Sequence, residues 1–177
     1  MRRDGEGAAV IAADGTRLFH RCFGTGTTTL VFTASWALDS RMWDLQYAYF
    51  AARGFRCVGW DRRGHGRSEL GGPDPDMDVF ADDLAAVLDQ LDLSNVVLVG
   101  HSMGAAEIIH FLARHGRSRV RKVVLLAPVA PFVMQTADNP DGVPRAVFER
   151  VWARMAADFP AWAEDNQTAF FTPETSV

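Results

Sequence analysis

Asn95-Val96-Val97-Leu98-Val99-Gly100-His101-Ser102-Met103-Gly104 is the stretch that decides how this chain folds. An apolar run ends in Gly-x-Ser-x-Gly, and a helical pattern, Ala105 to Arg114, follows at once. A serine at such a strand-to-helix junction reads as a nucleophile elbow. The serine is forced into a tight, strained turn, and the two glycines remove side chains that would collide with the crossing strand and helix. Its hydroxyl is left exposed above the sheet. The bland alternative is a serine in an ordinary glycine-rich turn; the flanking strand and helix favour the elbow.

The pattern continues in both directions. Asp14-Gly15, between Ala8-Val10-Ile11 and Leu18-Phe19-His20-Arg21-Cys22-Phe23, predicts a hairpin. Thr28 to Thr33, Phe55 to Trp60 and Val120 to Ala127 read as buried strands. Met42 to Arg53 reads as a helix stopping at Gly54, and Asp76 to Leu91 as an amphipathic helix with Met77, Phe80, Leu84, Val87, Leu88 and Leu91 on one face. Arg114 and His115 sit favourably at the negative end of the elbow helix, before Gly116. Apolar strands alternating with helices predict an α/β fold: a mostly parallel twisted sheet with helices on both faces. After Pro128 the texture changes. Pro128, Pro131, Pro140 and Pro144 punctuate the chain, and Arg145 to Phe159 resumes a helical pattern through Val147, Phe148, Val151, Met155 and Phe159. The expected organisation is a core over 1–128 and the start of a helical lid over 129–177.

Composition narrows the function. The 177 residues are 48% apolar and 23% charged, enough chain for a sizeable core. A net charge of -4 supplies no basic field for nucleic acid or an anionic membrane surface, so a small neutral or weakly polar substrate is expected. Cys22 and Cys57 each fall in an apolar strand-like run and read as reduced core residues of a cytoplasmic protein. Met1-Arg2-Arg3 imitates the start of a signal peptide, but Asp4-Gly5-Glu6-Gly7 follows where an apolar segment is needed, and no run is long enough to span a bilayer.

A serine hydroxyl becomes a useful nucleophile when a base takes its proton, and acyl transfer also needs donors aimed at the developing oxyanion. The backbone N–H of Met103, at the positive end of the helix, is one donor. The other is expected from the loop Ala34-Ser35-Trp36-Ala37, at the N–H of Trp36, whose ring also reads as a pocket wall or core aromatic. None of the five histidines makes a convincing base. Neighbouring strand residues point to opposite faces, which turns His101 away from Ser102. His110 and His115 lie roughly 12 and 20 Å down the helix at about 1.5 Å per residue. His20 sits in the hairpin, and His65, although on the right edge of the sheet, reads first as part of a Gly64-His65-Gly66 turn. No histidine pair has a carboxylate at ligand spacing and no Cys-x-x-Cys occurs, so no metal site is expected.

The strand ending near Trp36, the Asp61-x-Arg63-Gly64-x-Gly66-x-Ser68 loop, the Gly100-to-Gly104 elbow and the Leu125-Leu126-Ala127-Pro128 strand end together resemble the α/β-hydrolase superfamily. Trp36, Met42-Trp43 and the lid entrance from Pro128 to Asn139-Pro140 look most like its cofactor-free branch of esterases, lactonases and perhydrolases, the non-haem chloroperoxidase-like proteins. The resemblance implies Ser102 as nucleophile, Trp36 and Met103 as oxyanion hole, no cofactor, and a structural role for Asp61. It implies an acyl-enzyme formed from a carboxylic ester or lactone, with water or peroxide as the acceptor. The chain departs from the pattern in having Ala34-Ser35 where the family usually has His-Gly. It also stops at Val177, before the triad Asp and His, which follow the lid in the order Ser, Asp, His. The expectation is that these come from a C-terminal segment of the same protein or from a second subunit, since the Val120-to-Ala127 strand would otherwise be an open apolar edge.

Val129, Phe132, Phe148 and Trp152 are the candidate pocket residues, although aromatic residues at helical spacing also read as packing. A non-catalytic binding module on the same fold is the rival from another class. Epoxide hydrolysis fits poorly, because it wants a carboxylate where Ser102 stands.

Overall fold

The Asp14-Gly15 turn folds β1 (Val10–Ile11) back on β2 (Arg17–Leu18) as a short antiparallel ladder. The computed structural model describes residues 9–72, 75–130 and 132–170; the readings placed on residues 1–8, on Pro73 and on Pro131 lie outside them. The expected second hairpin strand is not continuous. At Phe19 the Asp61 loop takes over the backbone: the Phe19 N–H donates to Ser68 Oγ at 2.8 Å, and its carbonyl accepts from the Asp61 N–H at 2.9 Å. Beyond this break β3 (His20–Phe23) joins a different sheet.

That sheet also contains β4 (Thr28–Thr33), β5 (Phe55–Trp60), β6 (Val96–His101) and β7 (Val120–Leu126), in the spatial order β3-β5-β4-β6-β7. Only β3 runs antiparallel; the β5-β4, β4-β6 and β6-β7 pairs are parallel. Between β4 and β5 the expected single helix is two pieces. A 3-10 turn over Ser40–Trp43, capped by the Asp39 side chain, leads into α1 (Asp44–Ala51), which ends at Ala52 and not at Gly54. Gly54 lies two residues on, in a left-handed turn at φ +79°. α2 (Met77–Gln90) begins at Asp76, whose carboxylate caps the Val79 N–H at 3.0 Å. α3 (Met103–His115) follows the elbow.

Alternation along the strands divides the core between the two sheet faces. Val31, Val58, Val96 and Leu98 pack with Leu84, Val87 and Leu88 of α2 and with Ile108 and Phe111 of α3. Leu30, Phe32, Cys57 and Val99 pack on the other face with Trp43 and with Tyr47 of α1. Each such fully buried side chain contributes about 1.5–3 kcal/mol relative to exposure. The register pairs Cys22 with Val58 and Phe23 with Cys57, so the two thiols point to opposite faces; both are free. Burial pushes both thiols up, that of Cys57 to about 11.

β7 behaves differently from the other strands. Among the described residues it pairs with β6 alone, and Val123, Val124, Leu125 and Leu126, which alternate between its faces, are all 36–41% exposed. Among the described residues nothing covers either face of this edge in the way that helices cover β4 and β6.

The chain divides into two compact units, Met1–Pro131 and Phe132–Val177. In the second, bridges join Met134 to Val143 and Thr136 to Asn139 ahead of α4 (Arg145–Ala157) and α5 (Phe159–Phe170). The predicted helix therefore stops at Ala157, and a second, unanticipated helix starts after Asp158, whose carboxylate accepts the Ala161 N–H at 3.0 Å. An Arg154–Asp165 ion pair ties the two helices together. No helix among the described residues is long and apolar enough to cross a membrane.

Candidate active site

Ser102 sits between the end of β6 and the first residue of α3, with φ +54° and ψ −115°. Left-handed φ at a non-glycine residue is a strained conformation. The reason for the flanking glycines is steric. A Cβ on Gly100 would lie 2.6 Å from the Gly104 carbonyl oxygen, and one on Gly104 would lie 2.5 Å from that of Thr33 and 2.6 Å from that of Ala34. The strained bend is held from outside: the Ser102 N–H donates to the Leu126 carbonyl at 2.9 Å, and the Val129 N–H donates to the Ser102 carbonyl at 3.3 Å. Ala127, at φ +42°, makes the turn between these two contacts. The Ser102 side chain makes no capping bond to α3 and is half-buried.

Met103 opens α3, so its N–H is one of the first-turn donors that no helical carbonyl claims, at the positive end of the helix dipole. The loop after β4 carries Ala34, Ser35 and Trp36 past the same helix end, and Gly104 packs against the Ala34 carbonyl. Trp36 is 44% exposed. This geometry brings the elbow, the Met103 amide and the Trp36 loop to one end of the sheet.

Three of the histidines are engaged with other groups, and two keep a buried ring nitrogen without a partner. Burial on β3 lowers the His20 pKa, and His20 Nδ1 has no hydrogen-bond partner. His65 Nδ1 contacts the Arg63 carbonyl at 3.1 Å, and burial lowers its pKa as well. His110 pairs with Asp78, and His115 with Asp82. Arg114 binds the same two aspartates across α2 and α3. His101 Nδ1 is buried without a partner. Among the described residues no histidine is hydrogen-bonded to Ser102.

Asp61 is fully buried; its carboxylate accepts the N–H groups of Ser40 at 2.8 Å and Arg67 at 2.9 Å, a loop-organising arrangement. Of the candidate pocket residues, Val129 touches the elbow through its backbone. Phe132, Phe148 and Trp152 belong to the second unit, where the Phe148 and Trp152 rings stand 6.2 Å apart.

Two residues at this end of the sheet escape a sequence reading. Arg62, 2% exposed, forms a buried ion pair with Glu107 of α3 and donates to the Ala34 carbonyl at 2.7 Å and the Ser35 carbonyl at 3.2 Å. Burial pushes the Glu107 carboxyl up, against the attraction of Arg62. The available signal was a lone carboxylate between Ala105-Ala106 and Ile108, on the apolar face of a helix.

Comparison with known proteins agrees with the fold. Residues 28–175 match the family model described as alpha/beta hydrolase fold. The chain belongs to the α/β-hydrolase family. Within it, the chain falls in the chloroperoxidase-like branch. A non-heme haloperoxidase of Rhodococcus erythropolis is 46% identical over 140 residues, 79% of this chain and 51% of that protein. A bifunctional esterase/perhydrolase of Acinetobacter calcoaceticus is 41% identical over 141 residues, 79% and 51% of the two chains. The solved structure of an esterase from Exiguobacterium antarcticum superposes with a TM-score of 0.89 at 29% identity, covering 96% of this chain and 63% of that one. This α/β-hydrolase chain spans about half the length of the curated relatives it matches.

Proposed function

We propose that this chain carries the nucleophile half of a serine hydrolase acting on a small carboxylic ester or lactone. Ser102 attacks the acyl carbon, its proton passes to a histidine, and the carbonyl oxygen becomes an oxyanion held by the amides of Met103 and Trp36. Collapse expels the alcohol, which takes up that proton, and leaves an acyl-serine. Water then adds to it and releases the acid. The observation that carries this reading is the left-handed Ser102 between two glycines that tolerate no Cβ.

The histidine and its aspartate come, in this reading, from sequence beyond residue 177 or from a second subunit. Two features support that: no described histidine bonds to Ser102, and β7 exposes apolar side chains on both faces. The same site supports a perhydrolase reading, favoured by the relatives named as haloperoxidase and esterase/perhydrolase. Hydrogen peroxide would take the place of water, release a peracid, and oxidise halide indirectly. Val129, Phe132, Phe148 and Trp152 are the proposed pocket residues, and residues 129–177 the proposed start of the lid.

Steady-state assays on the natively purified protein test the reading. We expect hydrolysis of p-nitrophenyl acetate that Ser102→Ala lowers by at least about a thousandfold, and bromination with peroxide that depends on added acetate. Hydrolysis that survives Ser102→Ala, or no hydrolysis of any short ester or lactone, would leave a non-catalytic binding module as the better account.

A further inference from the structure

We propose that Arg62, held by Glu107, is a positioning residue that fixes which way the Trp36 amide points. The inference rests on the reading of the Trp36 N–H as an oxyanion donor. The peptide unit is planar and trans, so its C=O and N–H point in opposite directions. The Ser35 carbonyl and the Trp36 N–H belong to one such unit. Arg62 Nη1 donates to the Ser35 oxygen at 3.2 Å, a carbonyl that also accepts the Leu38 N–H at 3.4 Å, and with that oxygen held by the guanidinium the Trp36 N–H on the far side of the plane points away from it.

The preceding peptide shows the same geometry with both ends visible. Arg62 Nη2 binds the Ala34 oxygen at 2.7 Å, and the Ser35 N–H on the other side of that plane donates to Met42 Sδ at 3.3 Å. One guanidinium therefore clamps two successive peptide planes leading into Trp36. Its third contact is Glu107, five residues past Ser102 on α3, so the loop and the nucleophile's helix are referenced to a single group.

Stability gives no adequate reason for this pair. Its side chains are 1% and 0% exposed, and Glu107 Oε2 is buried with no hydrogen-bond partner. Burying two charges and leaving one oxygen unsatisfied is a poor way to fill a core, where apolar residues of similar size often do as well or better. A planar fork that binds two carbonyls and a carboxylate at once is something only arginine supplies. The clamp also bears on Ser35, which stands where the family pattern has glycine: a loop with a side chain at this point is given its orientation by the guanidinium behind it.

The test compares the natively assembled wild type with Arg62→Met/Glu107→Leu, which replaces the ion pair with apolar bulk, and with Arg62→Lys, which keeps a cation opposite Glu107 but loses the fork. The readouts are kcat and KM for p-nitrophenyl acetate, the unfolding temperature, and the Trp36 backbone amide resonance. We expect the folded double variant to lose at least about tenfold in kcat, with KM within about twofold of wild type. Arg62→Lys should fall between the two, and the Trp36 amide resonance should move in both variants. A folded double variant with wild-type kcat, or an unmoved Trp36 amide, overturns the proposal. Should the double variant not fold, Arg62→Lys with wild-type kcat overturns it in the same way. If the wild type proves inert toward esters, the hydrolase reading fails, and the Trp36 amide resonance alone decides whether the clamp exists.

Discussion

At the scale of single residues, Gly104 shows how little room the elbow leaves. Helix propensity alone would make Gly104→Ala stabilising by about 1 kcal/mol. The added methyl would lie 2.5 Å from the Thr33 carbonyl and 2.6 Å from that of Ala34, and both are backbone atoms that cannot turn aside. Overpacking of this kind costs about 1–3 kcal/mol, so the clash outweighs the propensity. We expect Gly104→Ala to lower the melting temperature and to displace the Trp36 loop. Gly116→Ala, with nothing within 4 Å of its Cβ, should show only the strain of φ +75°. Calorimetry on the two variants checks the ordering; Gly104→Ala more stable than wild type would contradict it.

At the scale of elements, the loop after β5 is held to its neighbours by charge. Arg63 Nε and Nη2 bind the Asp83 carboxylate of α2 at 2.6 and 2.7 Å, and Nη1 reaches Asp14 of the β1–β2 turn at 2.8 Å. The partners differ in burial: the Asp83 side chain is 2% exposed and that of Asp14 45%. Removing a buried partner strands a charge and costs about 3–5 kcal/mol, whereas an exposed pair contributes about 0–1 kcal/mol. We therefore expect Asp83→Asn to destabilise the fold by about 3 kcal/mol and Asp14→Asn by less than about 1 kcal/mol, as measured by urea unfolding. Equal effects would mean that the Asp83 pair is not the principal tie.

Elements were legible in the sequence where local chemistry dominates. The apolar runs that became β4, β5, β6 and β7, and the amphipathic face of α2, needed no tertiary information. The misses occurred where distant groups decide. Phe19 breaks a strand because Ser68 and Asp61 claim its backbone, and α5 is started by Asp158 in a segment with weak apolar periodicity. At the site, Ser102 was readable from the motif. The Arg62–Glu107 pair was not, because the two residues are 45 positions apart and meet only across the folded loop.

At the scale of the whole molecule, β7 is the feature that asks for a neighbour. A parallel strand with apolar side chains on both faces belongs inside a covered sheet, and as an open edge it is a template for further pairing. We expect residues 1–177 produced alone to sediment as concentration-dependent assemblies, and Val124→Lys/Leu126→Lys to reduce that association. A monodisperse monomer at all concentrations would remove this support for a completing segment or subunit.

The central claim is that Ser102 is an activated nucleophile. Peptide mapping by mass spectrometry, after the natively purified protein is exposed to a fluorophosphonate, tests it most directly. A single adduct is expected on the peptide containing Ser102, absent from Ser102→Ala; no adduct at that residue, or one that persists in the variant, overturns the assignment of Ser102 as nucleophile.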